Sequence, residues 1–231
     1  HYELAHLTVQ MGTTAKAATA ARDWCDAAGA GGRLLGCFSS DIGALNRMIV
    51  LRGFDDLGAL AAERERLQRS ADPFGCGDAL VAWESESFEA FGWMPPVQPT
   101  AQSGVRGPVY EIRTYGIKPG GLEPTIELWR QYVPARAQLS PCVVAMVALD
   151  GPLRFTNIWA YPSIDARSRV RADAVAQGLW PPRGGPAWLT TAMSSTIRRN
   201  TPTVTDSSSA AAPSSVPGSL FAWASSLAVI R

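Results

Sequence analysis

Lysine and histidine are scarce in this sequence, and neither sign of charge prevails. Two of the 21 basic residues are lysines, Lys16 and Lys118, and the other 19 are arginines. The 20 acidic residues leave a formal net charge of +1, which creates no field strong enough to hold a polyanion. We therefore expect no nucleic-acid partner and no membrane surface as a partner.

Motifs for nucleotide chemistry and for hydrolytic nucleophiles are also missing. The sequence contains no Gly-x-Gly-x-x-Gly after a strand pattern, no Gly-Lys-Ser phosphate loop and no Gly-x-Ser-x-Gly elbow. The glycine-rich stretch 29–32 follows a helix pattern, which is typical of a helix stop and not of a phosphate site. Reactions driven by a bound nucleotide are not expected.

Cysteines and long hydrophobic runs are equally limited. Four cysteines, at positions 25, 37, 76 and 142, form no Cys-x-x-Cys pair, and both histidines lie near the N-terminus. This spacing predicts no metal site and favours cysteines that are small buried hydrophobes in a reducing cytoplasm, with Cys76 in an exposed loop. The longest apolar run, 142–149, is far shorter than the ~20 residues of a membrane-spanning helix. A cytoplasmic protein is the expectation, and the absence of a methionine at His1 is compatible with a removed leader.

The sequence does contain an internal repeat. The motif Tyr2-Glu3-Leu4 recurs as Tyr110-Glu111-Ile112, 108 residues later. Because each copy of a repeat of this length forms one structural unit, the pattern predicts two similar halves. Three further pairs correspond at the same offset: Gly12 with Gly120, Arg22 with Arg130, and Leu51 with Trp159.

Composition divides the chain into four segments. Six prolines and glycines lie within residues 94–108, a composition that excludes a helix or a central strand and indicates a linker. The stretch 200–231 is rich in Ser, Ala and Pro and too poor in apolar residues to fold alone, so it is predicted to be a tail. The expected domains are therefore 1–93, a first and diverged repeat, and 109–199, a second repeat.

Each half shows the same order of elements. Alternating β-branched stretches predict strands, and apolar residues at spacings of three and four predict amphipathic helices. The order is strand, helix, two strands, helix, strand, which is the ferredoxin-like unit occurring twice. The predicted elements of the first half are 2–9, 14–28, 33–38, 46–51, 57–69 and 78–83. Those of the second half are 109–117, a helix from 122 that Pro134 ends, 143–149, 155–161, a helix over 165–176 with its arginines outward, and 189–197.

Several motifs of the second half resemble those of a known family. They are the strand from Tyr110 to Tyr115, the turn Lys118-Pro119-Gly120, the helix with Leu128 and Trp129, the strand 157–161, and the arginines Arg167 and Arg171. This combination resembles the NIPSNAP family over residues 109 to about 202, and the first half resembles a diverged copy of it.

The resemblance implies an α+β fold of the dimeric α/β-barrel type, in which two four-stranded ferredoxin-like sheets close face to face. Both sheets would here come from one chain, which implies a monomeric pseudo-dimer or a weak homo-oligomer. The same superfamily includes cofactor-independent monooxygenases, muconolactone-type isomerases and haem enzymes, so the fold leaves the reaction open.

Strand alternation groups the polar residues of the second half on one face. Glu111, Arg113 and Tyr115 point to the same side of their strand. If the helices cover the apolar side, this face lines the barrel interior. Such a face is either a ligand pocket with aromatic walls or a set of ion pairs that specifies barrel closure. The third strand adds Asn157, Trp159 and Tyr161.

The first half is less polar at the corresponding positions. Glu3 is retained on that face, whereas Ala5 and Leu7 replace the arginine and the second tyrosine. Such asymmetry suits a single site for one small apolar molecule. His6 falls on the opposite face of its strand. If that face lined the barrel interior instead, His6 would be a candidate general base or axial haem ligand.

Two classes of function follow from these patterns. The first is an enzyme that binds a small apolar or aromatic molecule in the barrel, such as a cofactor-independent monooxygenase or isomerase. Its catalytic candidates are Glu111 as acid or base, Arg113 as charge partner and Tyr115 as hydrogen-bond donor. No cofactor is expected, with haem as the open exception, and the alternative class is a non-catalytic binding or scaffold protein that uses its outer helices or C-terminal tail. The candidates for ligand binding are Glu3, Asn157, Trp159, Tyr161 and His6.

Overall fold

The computed structural model describes residues 1–99 and 107–200. The predicted tail therefore lies outside the described residues except for Asn200, as does the middle of the predicted linker. The described strands are β1 (Tyr2–Val9), β2 (Arg33–Ile42), β3 (Arg47–Gly53), β4 (Leu80–Ala90), β5 (Val109–Ile117), β6 (Cys142–Ala148), β7 (Arg154–Tyr161) and β8 (Leu189–Arg199). The described α-helices are α1 (Thr14–Asp26), α2 (Leu57–Arg69), α3 (Leu122–Ala137) and α4 (Ile164–Ala176), with short 3-10 helices at Pro73–Gly75, Gly77–Ala79 and Gly185–Trp188.

The eight strands close one antiparallel barrel in the order β1-β3-β2-β8-β5-β7-β6-β4. The first repeat comprises β1 to β4 with α1 and α2, and the second comprises β5 to β8 with α3 and α4. The repeats meet at two seams, where β2 pairs with β8 and β4 pairs with β6. The predicted α+β fold, with tandem ferredoxin-like units closing into an intramolecular barrel, is confirmed. The predicted segment boundaries stay a prediction.

Two strands are longer than predicted because their ends pair with the other repeat. β2 continues from Phe38 to Ile42, where it pairs with β8. β4 runs on to Ala90, and Phe88 near its end lies opposite Ala148 of β6. These extensions depend on partners far away in the sequence, so the local pattern does not reveal them.

The barrel interior is an apolar core to which both repeats contribute. Leu4, Phe38, Tyr110 and Ile158 are among its almost fully buried side chains. Phe38 and Tyr110 meet across a seam with their ring centroids 4.8 Å apart. The apolar face of β5 was expected to meet the helices, but it points into the barrel. The polar face of β5 was expected to point into the barrel, but it meets the helices. The physical reason is that barrel closure removes the inner face of both sheets from water, so the more apolar face lies there.

Helices cover the outer face of each sheet. The alanines of α1 pack on the first sheet, and Trp129 and Val133 of α3 pack on the second. α2 and α4 begin with equivalent caps, because the side chains of Asp56 and Ser163 each accept a hydrogen bond from the backbone N–H three residues later. No helix in the described part of the chain is both long enough and apolar enough to cross a bilayer.

Two predictions about single residues are wrong. Pro134 does not end α3, because Val133 and Arg136 on either side of it are buried against the sheet and hold the last turn in place. Cys76 is buried and not exposed, with its Sγ 3.7 Å from the carbonyl oxygen of Ala17. The two 3-10 turns after α2 fold this loop against α1, which a loop composition alone does not indicate.

Candidate functional site

The polar and aromatic residues predicted on one sheet face lie together in a cleft between the second sheet and the helices α3 and α4. β5 and β7 are neighbours, so Glu111 lies opposite Trp159 and Arg113 lies opposite Asn157. The structure thus brings the predicted residues together, on the helix side of the sheet instead of the barrel interior. The whole set lines one polar compartment: Glu111, Arg113, Tyr115, Asn157, Trp159 and Tyr161.

Glu111 is the centre of a hydrogen-bond network in this compartment. Its side chain is 1% exposed. Oε2 accepts a hydrogen bond from the hydroxyl of Tyr161 at 3.4 Å. Oε1 accepts hydrogen bonds from Arg113 Nη2 at 3.1 Å, Arg171 Nη1 at 3.2 Å, Ser194 Oγ at 3.0 Å and Nη2 of Arg167.

The arginines of α4 do not all point outward as predicted. Arg167 and Arg171 lie four residues apart and therefore share one helix face, which is turned toward Glu111. Three cations thus converge on one buried carboxylate, the third being Arg113 of β5.

These contacts keep Glu111 ionised. Burial by itself raises the pKa of Glu111, but the hydrogen bonds and charges of Arg167 and Arg113 outweigh burial and hold the pKa below its ordinary value. A carboxylate in this state carries no proton to donate at neutral pH. The geometry favours Glu111 as an anchor that orients the arginines, and not as the predicted acid.

Arg113 links Glu111 to Tyr115. While its Nη2 donates to Glu111, its Nη1 donates to the hydroxyl of Tyr115 at 3.0 Å. The ring of Tyr115 stacks on Phe155, with centroids 5.2 Å apart and planes 21° apart. Tyr115 therefore stands with its hydroxyl toward the polar residues and its ring among apolar ones.

Beyond Tyr115 the cleft opens into an apolar compartment of about 330 Å³. Trp129 and Trp180 meet there edge to face, with ring centroids 4.9 Å apart. Its volume lies within the range of small-molecule sites. Trp180, in the loop after α4, lines this compartment. Its walls include Tyr115, Leu128, Trp129, Phe155, Trp180 and Leu189.

The polar compartment has a volume of about 220 Å³ and adjoins the apolar one. Trp159 Nε1 donates to Asn157 Oδ1 at 2.9 Å, which fixes both side chains as part of the wall. The guanidinium carbon of Arg136 lies 4.5 Å from the centroid of the Trp159 ring, a cation–π contact. Both compartments are lined by Tyr115, Trp180 and Pro181.

Sequence reasoning missed Arg136. This residue lies in the last turn of α3, and its Nη2 donates to the Tyr161 hydroxyl at 3.3 Å. A signal was available, because Arg136 follows the buried Trp129 and Val133 at spacings of seven and three residues on the same helix face. The assumed helix end at Pro134 concealed it.

The NIPSNAP family model matches residues 2–74, within the first repeat, and residues 110–204, which include the second. The chain belongs to the NIPSNAP family. It is similar to a NipSnap homologue from Dictyostelium discoideum, with 25% identity over 153 residues that cover 65% of this chain and 66% of the homologue. This NIPSNAP chain thus spans just under two thirds of the length of that relative. The family and the tandem repeat predicted from the sequence are confirmed.

Solved structures with the same barrel are similar over most of this NIPSNAP chain. A protein from Lactobacillus acidophilus, suggested to be a monooxygenase, has a TM-score of 0.61 and 14% identity over 87% of this chain and 93% of its own. An anthrone oxidase-like protein has a TM-score of 0.58 and 12% identity over 86% of this chain and 90% of its own. At such identities the likeness shows the fold alone.

In the first repeat of this NIPSNAP chain, charged side chains pair with the glutamate at the corresponding position. Glu3 Oε2 accepts from Arg52 Nε at 2.9 Å, and Arg52 Nη1 donates to Glu63 Oε1 at 2.6 Å. Arg52, and not Leu51, corresponds to Trp159, because Arg52 is the register partner of Glu3. Glu3 therefore lies apart from the second-repeat cleft, and its position does not support the predicted shared wall.

His6 lies on the same face of β1 as Leu4, which points into the barrel. Its Nε2 is 3.1 Å from Glu86 Oε2, and Arg154 Nη2 donates to Glu86 Oε1 at 2.7 Å. His6 therefore belongs to an ion cluster that joins the two repeats and not to the cleft. Within residues 1–99 and 107–200, no group of three or more His, Cys, Asp or Glu side chains is arranged to hold a metal ion.

Proposed function

We propose that the second-repeat cleft binds a small apolar or aromatic molecule and that the protein acts on it as a monooxygenase or isomerase without a cofactor. The proposal is supported by two compartments of different character that adjoin at Tyr115. One is apolar and about 330 Å³ in volume, and the other is lined by arginines. Sites of this kind bury the apolar body of a ligand and orient it with a few polar groups. The ligand is therefore proposed to bind outside the barrel interior.

The polar groups suit a reaction that develops negative charge on a substrate oxygen. In the proposed step a base from the solvent takes a proton from an acidic carbon beside a carbonyl group, and the C–H electron pair forms an enolate whose charge lies largely on oxygen. Arg113 donates to the Tyr115 hydroxyl at 3.0 Å, which leaves the hydroxyl proton available for a bond to that oxygen. Glu111 holds Arg113 from the other side and is proposed as a positioning residue.

The likeness to other structures agrees with this reaction class. One similar structure is of a suggested monooxygenase and another is of an anthrone oxidase-like protein. Identities of 14% and 12% transfer no residue roles, so the roles above rest on the cleft itself. Anthrone, an aromatic ketone with an acidic CH₂ group, is a suitable first test substrate.

Binding is tested by filling the apolar compartment. Ala192 of β8 lines this compartment. It corresponds to Trp83 of β4, because each lies four residues before the register partner of the glutamate in its own repeat. These partners are Thr196 in the second repeat and Ser87 in the first. We expect Ala192→Phe to weaken binding of naphthalene-2-carboxamide about tenfold or more in isothermal titration calorimetry. Met193→Phe, on the other face of the same strand, is the matched control and should bind like the wild type. Equal binding by Ala192→Phe would overturn the proposed site.

Turnover is tested with oxygen uptake in the presence of anthrone. The wild type is expected to consume oxygen, and Arg113→Ala is expected to lower kcat about a hundredfold, because the Tyr115 hydroxyl that donates to the developing oxyanion loses the hydrogen bond that orients it. Arg130→Ala, which removes an exposed arginine from α3, is the control. Oxygen uptake that is unchanged in Arg113→Ala would contradict the proposed role of Arg113.

The alternative predicted from the sequence, a non-catalytic scaffold that uses its outer helices or tail, stays a prediction. The outer helices α3 and α4 supply walls of the cleft, and the tail lies outside the described residues. The cytoplasmic location, the absence of nucleic-acid and membrane partners, and the choice between a monomeric pseudo-dimer and a weak homo-oligomer also stay predictions.

A further inference from the structure

We infer that the ligand of this cleft carries a carboxylate, which binds between Arg113 and Arg171 while its apolar or aromatic body occupies the apolar compartment. This inference rests on the proposed function and names its substrate class. It is argued from the charges of the cleft and from a comparison of the two repeats.

The polar compartment holds more positive than negative charge. Glu111 is the one carboxylate among the described residues that line it, against the guanidinium groups of Arg113, Arg136 and Arg171. Arg167 adds a further cation through its contact with Glu111. Partly buried charges of one sign are costly without counter-ions, so this excess indicates that the occupied compartment contains an anion.

In the first repeat, the arginines donate hydrogen bonds to a second carboxylate, that of Glu63. Arg52 Nη1 donates to Glu63 Oε1 at 2.6 Å, and Arg66 Nε donates to Glu63 Oε2 at 2.8 Å. Arg52 also donates to Glu3 through Nε at 2.9 Å. Glu63 is almost fully buried. In this repeat, therefore, the protein itself supplies the carboxylate on which the arginines converge.

The second repeat lacks that carboxylate. α2 and α4 each have 13 residues and begin at positions 57 and 164, so Glu63 of α2 corresponds to Val170 of α4. Arg64 and Arg171 correspond in the same way, and each contacts the glutamate of its own repeat, at 3.4 Å and 3.2 Å. The arginine is thus retained while the second carboxylate is replaced by valine. A ligand carboxylate would supply the second anion that Glu63 supplies in the first repeat.

The arginines of the cleft have hydrogen-bonding capacity left. The Nε atoms of Arg113 and Arg167 are buried without a hydrogen-bond partner. Arg171 has one contact with Glu111, and its side chain is 43% exposed, so a ligand can reach it. Desolvation and the neighbouring charge of Arg113 lower the pKa of Arg171, the direction expected for a cation with too little negative charge around it.

The connection between the compartments determines how such a ligand lies. Tyr115, Trp180 and Pro181 line both compartments. A carboxylate among the arginines therefore directs the rest of the molecule past Tyr115 toward Trp129 and Phe155. The ligand class is an aromatic or apolar carboxylate, with the reacting carbon near the Tyr115 hydroxyl.

The test compares two probes of nearly the same shape, naphthalene-2-carboxylate and naphthalene-2-carboxamide, by isothermal titration calorimetry at neutral pH. We expect the wild-type protein to bind the carboxylate about tenfold tighter, the effect of one charge-assisted contact. Arg171→Gln should abolish this preference, measured as the ratio of the dissociation constants of the two probes in the same variant. Arg169→Gln, at an exposed position of the same helix, is the matched control and should keep the preference.

A second variant tests the comparison of the repeats. Val170→Glu introduces the carboxylate of the first repeat, and it should weaken binding of naphthalene-2-carboxylate about tenfold while the carboxamide binds as before. If Val170→Glu does not fold, judged by its melting transition, Arg171→Gln alone decides. The inference stands if the preference for the carboxylate is present and depends on Arg171.

The failure of this inference is distinguishable from that of the proposed function. Equal binding of both probes, or a preference that persists in Arg171→Gln, overturns the inference and leaves the proposed binding site intact. Binding of neither probe overturns both. Salt dependence provides a further check, because a preference that is due to a charge contact weakens as ionic strength rises.

Discussion

Arg52 and Trp159 occupy equivalent positions in the two repeats, because Arg52 lies opposite Glu3 across β1 and β3 as Trp159 lies opposite Glu111 across β5 and β7. The guanidinium of Arg52 bonds directly to Glu3 and fills the space beside it. Trp159 instead forms a wall of the cleft. This exchange is one of several between the repeats that accompany the second-repeat cleft: Val170 also stands at the position of Glu63, and Ala192 stands at that of Trp83.

Removing Arg52 is expected to destabilise the protein severely. Arg52→Met leaves Glu3 and Glu63 as buried carboxylates without their main counter-ion, which costs about 3–5 kcal/mol. The free energy of unfolding from urea denaturation measures the loss. Arg69→Ala breaks an ion pair with Glu65 whose partners are 79% and 61% exposed, and it should cost less than about 1 kcal/mol. Losses of similar size in the two variants would contradict this assignment.

The stability of the protein is expected to fall in acid partly through Glu111. The pKa of Glu111 is lowered from its ordinary value of 4.5, so the folded state binds its proton less readily than the unfolded state. Its contribution is therefore present above about pH 4.5 and is lost as the pH falls through the lower pKa of the folded state.

The wild type and Glu111→Gln, compared by urea denaturation between pH 7 and pH 3, test this dependence. The difference in the free energy of unfolding should be largest at pH 7 and shrink below pH 4.5, since the wild-type carboxylate is then also neutralised. The lowered pKa values of Glu63 and Glu86 act in both proteins and cancel in the difference. A difference that is independent of pH would show that Glu111 acts through its shape and not its charge.

Arg154 is expected to stabilise the contact between the repeats. It lies on β7, and its Nη2 donates to Glu86 of β4 at 2.7 Å and to Asp150 at 3.1 Å. Arg154→Gln should lower the free energy of unfolding by about 1–3 kcal/mol, as expected for hydrogen bonds between charged groups. Arg130→Gln, in an exposed pair with Glu127, is the control and should have a much smaller effect, because solvent screens the pair. Equal effects would mean that the cluster contributes no more than a surface pair.

The thiols are expected to differ sharply in reactivity. Burial raises the pKa of Cys25 to about 12 and that of Cys76 to about 11, and it also raises the pKa of Cys37. These three should resist a disulfide reagent at pH 8 in the native protein, because the thiolate is the reactive form. Cys142 is only half-buried and should be labelled first. Native Cys142→Ser should then take up no label, whereas the unfolded variant should take up three equivalents.

The amino-acid sequence by itself determined the repeat, the order of the elements and which polar side chains share a face. These features depend on local spacing: a period of two along β5 groups Glu111, Arg113 and Tyr115 whatever surrounds the strand. The family followed from the same residues. Helix α2 was predicted with its observed bounds, because its cap and its apolar spacing are local as well.

Only the tertiary structure decided which face lies inside the barrel and what the site contains. Alternation distinguishes two faces of a strand, but both faces of these sheets are covered, one by the opposite sheet and one by helices. Barrel closure placed Tyr110 and Ile112 inward and left Glu111 beneath α4. The position of Trp180 at the cleft depends on how the loop after α4 packs on the sheet, and this packing is a balance of non-local contacts that sequence spacing does not encode.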